Sequence, residues 1–339
     1  MICHFTICIL IFDMINTKAI KNRIKSVANT QKITKAMEMV SAAKMRKAVA
    51  SALNTRTYAV LARALLEHLS ELSGEAGYEL LRARPVKNLL VVLISSNRGL
   101  CGAFNSNIFK KTALVLQNKN ELSKQLDRDG KEIFPEEEVR VSIIGVGKKS
   151  ADFAKKLKVE LVAVFDTFGD GLNFEEILPV SKLIIEEYKK SIYDKVVVAF
   201  TDYKSSLNQI AKVRQLLPVS TYELEGMLAE LGRDKTGLRQ EAKEEIKDAA
   251  NFSLGNYVFE PSEEDIVKDI LPRLVEIQLY QSILESAASE HSARMLAMRN
   301  ASDAAGEMID ELNLTFNKAR QAAITQEIAE IAGGTAALE

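Results

Sequence analysis

"LVEIQLYQSILESAASEHSARMLAMRNASDAAGEMIDELNLTFNKARQAA", Leu274 to Ala323, decides the architecture. Leu274, Ile277, Gln281, Leu284, Ala288, His291, Met295, Met298, Ser302, Ala305, Ile309, Leu312, Phe316, Ala319 and Ala323 stand at alternating steps of three and four without a slip. Gln281, His291 and Ser302 are the polar interruptions. A seven-residue repeat sustained over several heptads is a coiled-coil seam with a left-handed supercoil, and it requires a long partner helix. Gln326 and Glu330 take the next seam positions, so the apolar heptad fails beyond Ala323. Helix-forming sequence nevertheless runs on to Gly333 and Gly334, as for a helix that has outrun its partner and meets other chains.

The partner is found at the other end. From Lys18 to Ser73 there is no Gly and no Pro, and Ala, Lys, Arg, Met, Leu and Glu dominate. Such a stretch predicts one helix of about 80 Å at 1.5 Å per residue. Asn16 and Thr17 are candidate N-caps, and Gly74 with Gly77 a candidate stop. Its apolar residues Ile24, Val27, Met37, Val40, Met45, Val49 and Leu53 repeat more loosely than those of the C-terminal helix.

Between the helices lie four apolar, β-rich runs: Val86 to Ser96, Val139 to Gly147, Val159 to Phe165 and Asp194 to Tyr203. Helical patterns at Phe104 to Leu126 and Asn173 to Ser191 separate several of them, and this alternation predicts an α/β layer on a mostly parallel sheet. The expected organisation is therefore α/β, a long antiparallel coiled coil of the N- and C-terminal helices with an inserted Rossmann-like domain. The segments are 14–73, 74–260 and 261–339. Charged insertions at 119–138 and 223–248 are expected as solvated loops or short surface helices. The opening "MICHFTICILIF" lacks a basic n-region and a cleavage site and is too short to span a bilayer, so residues 1–13 are expected to be an upstream-start leader before Met14.

Of 339 residues, 47% are hydrophobic and 27% charged, and the formal net charge is -1. That balance is globular and supplies no general attraction to nucleic acid or acidic membranes. Cys3, Cys8 and Cys101 form no CxxC pair, which suits a reducing compartment. "IIGVGKKS" falls short of a phosphate loop, because Ser142 stands where Gly is needed and Lys149 where a hydroxyl is needed, so it reads as a strand-to-helix turn. "SSNRGLCGAFN" follows a strand where α/β folds bind ligands, but its glycines do not form GxGxxG. His4, His68 and His291 make no metal motif, and no nucleophile has a helper nearby. Neither catalysis, a cofactor nor a metal is expected of this chain.

The ends go further. "IKNRIKSVANTQKITKAMEMVSAAKMRKA" (Ile20 to Ala48) and "ASEHSARMLAMRNASDAAGEMIDELNLTFNKARQAAITQEIAEIAGGTAAL" (Ala288 to Leu338) closely resemble the terminal signatures of the F-type ATP synthase gamma subunit family. "SSNRGLCGAFN", "VRQLLP" (Val213 to Pro218) and "YVFEPS" (Tyr257 to Ser262) agree, and the leader and the two insertions depart from the pattern. The resemblance implies a non-catalytic rotor shaft in a ring of alpha and beta subunits, with the α/β domain beside the epsilon subunit and the membrane c-ring. It implies a peripheral membrane protein on the cytoplasmic face of a bacterial inner membrane. Residues carried over as partner contacts are Met37, Arg294, Arg320, Gln321, Thr325 and Glu327, with Arg294 suited to a carboxylate. Two rival readings are a non-rotary coiled-coil scaffold whose α/β domain binds a small ligand, and an α/β enzyme with helical extensions.

Overall fold

The computed structural model describes residues 17–72, 79–119, 123–126, 132–134, 138–166, 173–219 and 263–336. The leader at 1–13, the start at Met14, the cap Asn16, the stops Gly74 and Gly77 and the insertion at 223–248 lie outside the described residues. The chain divides into two compact units, Met1–Val40 with Met295–Glu339 and, separately, Ser41–Arg294. Both cuts fall inside long helices.

The Ser41–Arg294 unit is built on a five-stranded sheet. Its strands are β1 (Asn88–Ile94), β4 (Arg140–Val146), β5 (Glu160–Phe165), β6 (Lys195–Tyr203) and β7 (Gln209–Leu217), in the order β5-β4-β1-β6-β7. A separate ladder joins the two-residue strands β2 (Gln125–Leu126) and β3 (Glu132–Ile133). β1 pairs in parallel with β4 and β6, β4 with β5 in parallel, and β6 with β7 antiparallel. Counting only the sheet's own strands in chain order, this is 3-2-1-4-5, the dinucleotide-binding order 3-2-1-4-5-6 without its sixth strand and with its last strand reversed.

The composition of β1, "NLLVVLI", explains its central place, since a strand covered on both faces reads as an unbroken apolar run. Alternate residues point to opposite faces. Leu90, Val92 and Ile94 join Ile184 and Tyr188 of α4 (Leu178–Lys189) and Leu274, Val275 and Leu279 of α5 (Glu263–Ala336) in one core. Leu89, Val91 and Leu93 join Ile108 and Leu116 of α2 (Phe104–Gln117) and Phe153 and Ala154 of α3 (Lys148–Leu157) in the other. Each such side chain contributes about 1.5–3 kcal/mol by leaving water.

Three features differ from the sequence reading. β7 was not expected as a strand, because "QIAKVRQLL" places Lys212, Arg214 and Gln215 in a half-exposed edge position that hides both alternation and apolar run. The helix expected over Phe104 to Leu126 stops at Gln117. The insertion at 119–138 is not wholly solvated: Ser123 and Gln125 are buried, and Gln125 accepts the Arg84 N–H at 3.0 Å while donating to the Asp194 carbonyl at 3.1 Å.

α1 (Thr17–Leu72) has 56 residues and α5 has 74, so they extend about 84 and 111 Å at 1.5 Å per residue. α5 begins before Pro272 and keeps it inside the helix. An interior proline costs roughly 3 kcal/mol, and burial of the adjacent Leu271, Leu274 and Val275 offsets that cost.

The seam read on α5 is the covered face: Met298, Ser302 and Ala305 are buried, Ile309, Leu312, Phe316 and Ala319 are half-buried, and Ala323 is exposed. On α1 the covered face is stricter in period than its apolar residues suggested. Ile20, Ile24, Val27, Gln31, Thr34, Glu38, Ser41, Met45, Ala48 and Ala52 follow steps of three and four and are all buried or half-buried. Val40, one of the loosely repeating apolar residues, is 53% exposed. The difference has a physical cause: several contacts are made by short or polar groups whose bonds are met within α1 or by α5. Thr34 donates to the Gln31 carbonyl at 3.0 Å, and Gln31 reaches the Ser302 carbonyl at 3.4 Å.

Candidate functional site

The residues singled out in the sequence fall in three places. Arg320, Gln321, Thr325 and Glu327 lie on the last stretch of α5, where every residue from Arg320 to Thr335 is exposed. Ile324, Ile328 and Ile331 are 44%, 62% and 69% exposed and follow one another at helical steps of four and three, forming one apolar stripe. By the 3.6-residue turn, Arg320 and Glu327 flank that stripe on one side and Gln321 and Thr325 on the other. Two hydrogen bonds here stay within the helix: Thr325 donates to the Gln321 carbonyl at 2.9 Å, and Gln326 to Glu330 at 2.9 Å. Exposed isoleucines rimmed by polar groups are the signature of a surface another chain covers.

Met37 is half-buried on α1, one position before the seam residue Glu38. Arg294 is in a different situation. The residue is 9% exposed, and its guanidinium is held by Glu290 at 2.6 Å, one turn back on α5. It also lies 3.3 Å from His291 Nδ1 and donates to the Arg98 and Gly99 carbonyls at 3.4 Å. Within this chain, Arg294 therefore already has its carboxylate.

The "SSNRGLCGAFN" loop, where a ligand was one alternative, bonds its Ser95, Ser96 and Asn97 groups within the fold and leaves Arg98 exposed. Ser95 Oγ donates to the Val146 carbonyl at 3.2 Å, the Ser96 N–H donates to Asn105 Oδ1 at 3.1 Å, and Asn97 Nδ2 donates to the Asp166 carbonyl at 3.0 Å. The Lys148 N–H, at the start of α3, donates to Asn97 Oδ1 at 3.0 Å. "GVGKKS" is a strand-to-helix turn. Gly147 has φ +91°, and a Cβ there would stand 2.1 Å from the Ser95 carbonyl oxygen. Its glycine serves that close approach of two loops. Cys101 is buried, 3.8 Å from Ser96 Oγ, and accepts from Asn105 Nδ2 at 3.3 Å. Among the described residues, no group of three or more His, Cys, Asp or Glu side chains is arranged to hold a metal ion.

A dense polar cluster around Arg84 and Asp194 is invisible in the sequence. Arg84 donates to Ser191 Oγ at 2.7 Å and to the carbonyls of Tyr188 and Tyr193 at 2.9 and 2.6 Å. Its Nε lies 3.1 Å from Asp194 Oδ1 but makes no directed hydrogen bond, so that contact is ionic. Asp194 Oδ2 accepts the Lys87 and Asn88 N–H groups at 2.9 and 3.0 Å. The guanidinium also lies 4.5 Å over the Tyr188 ring, and burial pushes the Tyr188 hydroxyl up to about 12. This clamp ties the chain entering β1 to the turn between α4 and β6, so it serves the fold. No local motif marks it, because its members are about a hundred residues apart.

A solvent-bare helix end, a polar-sealed α/β loop and two very long terminal helices call for relatives with the same parts. The family profile described as ATP synthase matches residues 16–338. The ATP synthase gamma chain of Flavobacterium psychrophilum is 38% identical over 329 residues, covering 96% of this chain and 100% of that protein. The chain belongs to the ATP synthase gamma-chain family. The family's gamma chain from Heliobacterium modesticaldum is also 38% identical, over 94% of this chain and 98% of its own length. Among solved structures, the rotor of the Euglena gracilis mitochondrial ATP synthase aligns with a TM-score of 0.55 at 19% identity, covering 91% of this chain and 98% of that one. The central stalk and c-ring structure from Tetrahymena thermophila gives 0.51 at 22% identity, over 80% and 99%. These two likenesses concern the fold. No described helix is long and apolar enough to cross a membrane.

Proposed function

We propose that this chain is the gamma subunit of the F1 sector of a proton-translocating ATP synthase, the rotor shaft that couples proton flow to the conformational cycle of the catalytic beta subunits. The observation that carries the reading is similarity along 96% of this chain and 100% of a gamma chain, joined to a helix end that is bare from Arg320 to Thr335. In this reading the helices of 14–73 and 261–339 pair antiparallel as a coiled coil, and 74–260 is the α/β domain between them. The paired seams of α1 and α5 support that, as does the Gln31 to Ser302 contact at 3.4 Å. The shaft stands in a ring of alpha and beta subunits, the α/β domain meets the epsilon subunit and the c-ring, and the assembly lies on the cytoplasmic face of a bacterial inner membrane. The subunit carries no chemistry of its own.

Coupling by such a shaft is a population shift. One asymmetric helix pair presents a different face to each of several equivalent sites and stabilises each in a different conformation. Met37, Arg294, Arg320, Gln321, Thr325 and Glu327 are the proposed contacts. The exposed four at the end of α5 are available to a partner as they stand, whereas Arg294 would engage one while bound to Glu290. A guanidinium can grip a carboxylate by two parallel bonds, and truncating one partner of a buried charged pair costs about 2–5 kcal/mol.

The test is Arg320→Ala with Gln321→Ala in the reconstituted complex. Both side chains are exposed, so circular dichroism of the free chain is expected to be unchanged, while assembly, ATP turnover or proton pumping falls. Unchanged assembly, turnover and pumping would remove the contact assignment. Failure of the chain to copurify with a multisubunit ATPase would remove the rotor reading and favour a coiled-coil scaffold.

A further inference from the structure

We infer that Ser286, Ser289 and Ser292 of α5, together with Arg294, are the positioning residues that fix the long helix to the sheet against rotation, forming the torque joint of the subunit; this rests on the rotor reading above. β1 and β6 lie side by side in parallel at the middle of the sheet, with β4 and β5 on one side and β7 on the other. The crevice beyond the carboxyl ends of such a strand pair is where open α/β sheets take a ligand. Here the chain's own helix supplies the polar groups.

The ladder from β1 to β6 ends at the pair Leu93 and Ala199, so two residues further on the Thr201 N–H and carbonyl have run out of a β1 neighbour. Buried main-chain groups need partners. Ser286 Oγ accepts the Thr201 N–H at 3.0 Å, and Ser289 Oγ donates to the Thr201 carbonyl at 3.2 Å. Ser292 donates to the Ser206 carbonyl at 2.8 Å, in the turn from β6 to β7, and Gln209 Nε2 approaches its hydroxyl at 3.5 Å. Arg294 then reaches across to the Arg98 and Gly99 carbonyls, after β1. The three serines are 2%, 0% and 0% exposed, and the two bonds to Thr201 are shielded from exchange with water.

The serines stand three residues apart, one stripe along a helix. Below them the same helix packs through Leu271, Leu274, Val275, Leu279 and Ile283. Apolar contact is non-directional and resists separation more than it resists turning. Hydrogen bonds to a fixed strand end are directional, so the ladder sets the rotational position of α5 on the sheet. α5 is one continuous helix from Glu263 to Ala336, and torque applied to it about its axis reaches the sheet through this contact.

The experiment uses the whole complex, immobilised through its ring, with a rotation probe on Lys155→Cys, an exposed position of α3. In Ser286→Ala/Ser289→Ala/Ser292→Ala, the angular distribution at each dwell is expected to widen and ATP synthesis against a proton gradient to fall, while unloaded hydrolysis is retained. In the free chain, exchange of the Thr201 amide should rise about tenfold, the equivalent of one lost hydrogen bond, with the β1 amides unchanged. Faster Thr201 exchange with unaltered angular width and synthesis would overturn the inference. If the triple variant does not assemble, Ser292→Ala alone, which touches the exposed β6–β7 turn, is decided by the same angular width. A parent complex that does not rotate would instead overturn the rotor reading.

Discussion

Replacing Arg84 with Met keeps most of the side-chain stem and deletes the guanidinium at the centre of the clamp between β1, α4 and β6. The Tyr188 and Tyr193 carbonyls lose donors at 2.9 and 2.6 Å, and Asp194 loses its cation at 3.1 Å. Asp194 keeps the Lys87 and Asn88 N–H groups, which limits the damage. The Tyr188 carbonyl keeps the Ser191 N–H at 3.0 Å, so the cost of a carbonyl left without a partner, about 1–3 kcal/mol, falls on Tyr193. Removing one partner of a buried ion pair costs about 3–5 kcal/mol. These terms overlap, because the same guanidinium also serves Ser191 Oγ, and the Arg84 side chain is 23% exposed, so the expected loss for Arg84→Met is about 2–4 kcal/mol. For a domain of this size that is a fall in Tm on the order of 10 °C. Urea denaturation of the free chain followed by circular dichroism reads it directly. Arg84→Lys should recover part of the loss, since an ammonium can reach Asp194 but cannot fork onto two carbonyls. In Arg84→Met/Asp194→Asn the two losses should be less than additive, because the second substitution removes the charge the first left unpaired. A loss below about 1 kcal/mol for Arg84→Met would place the clamp among ordinary surface pairs and refute the reasoning.

Burial raises the Tyr188 hydroxyl to about 12 from an ordinary 10, so the folded chain holds that proton more tightly than the unfolded chain. The associated stability is full below pH 10 and is lost as pH rises toward 12, up to about 3 kcal/mol, and Tyr188→Phe should flatten that part of the pH–stability curve. Gly147→Ala meets the Ser95 backbone at 2.1 Å and forces a side chain into φ +91°, so a loss of roughly 3 kcal/mol or more is expected in thermal unfolding. At Gly306 an added Cβ would lie 3.1 Å from the movable end of Gln31. Gly306→Ala should therefore be neutral to about 1 kcal/mol stabilising from helix propensity, whereas Gly306→Leu should lower the Tm of the free chain.

The four parallel strands and the covered face of α5 were legible in the sequence because each depends on a pattern that local physics writes into the chain, whereas the family was legible only through the resemblance of Ile20 to Ala48 and Ala288 to Leu338. A strand covered on both faces must be an apolar run, as in "NLLVVLI", and a helix with one covered stripe must repeat every 3.5 residues, as from Leu274 to Ala319. The end of that stripe at Ala323 likewise announced the bare helix beyond it. Tertiary structure alone decided what depends on distant partners. The α1 seam runs through Gln31, Thr34, Glu38 and Ser41, whose polarity conceals burial, and β7 is a strand because β6 offers it an edge. Gln125 is inside because Arg84 and Asp194 bond it, and Ser286 and Ser289 are buried because β1 stops short of Thr201. Hydrophobic periodicity reports which face leaves water. It carries no record of which polar groups will meet once two segments a hundred residues apart have been brought together.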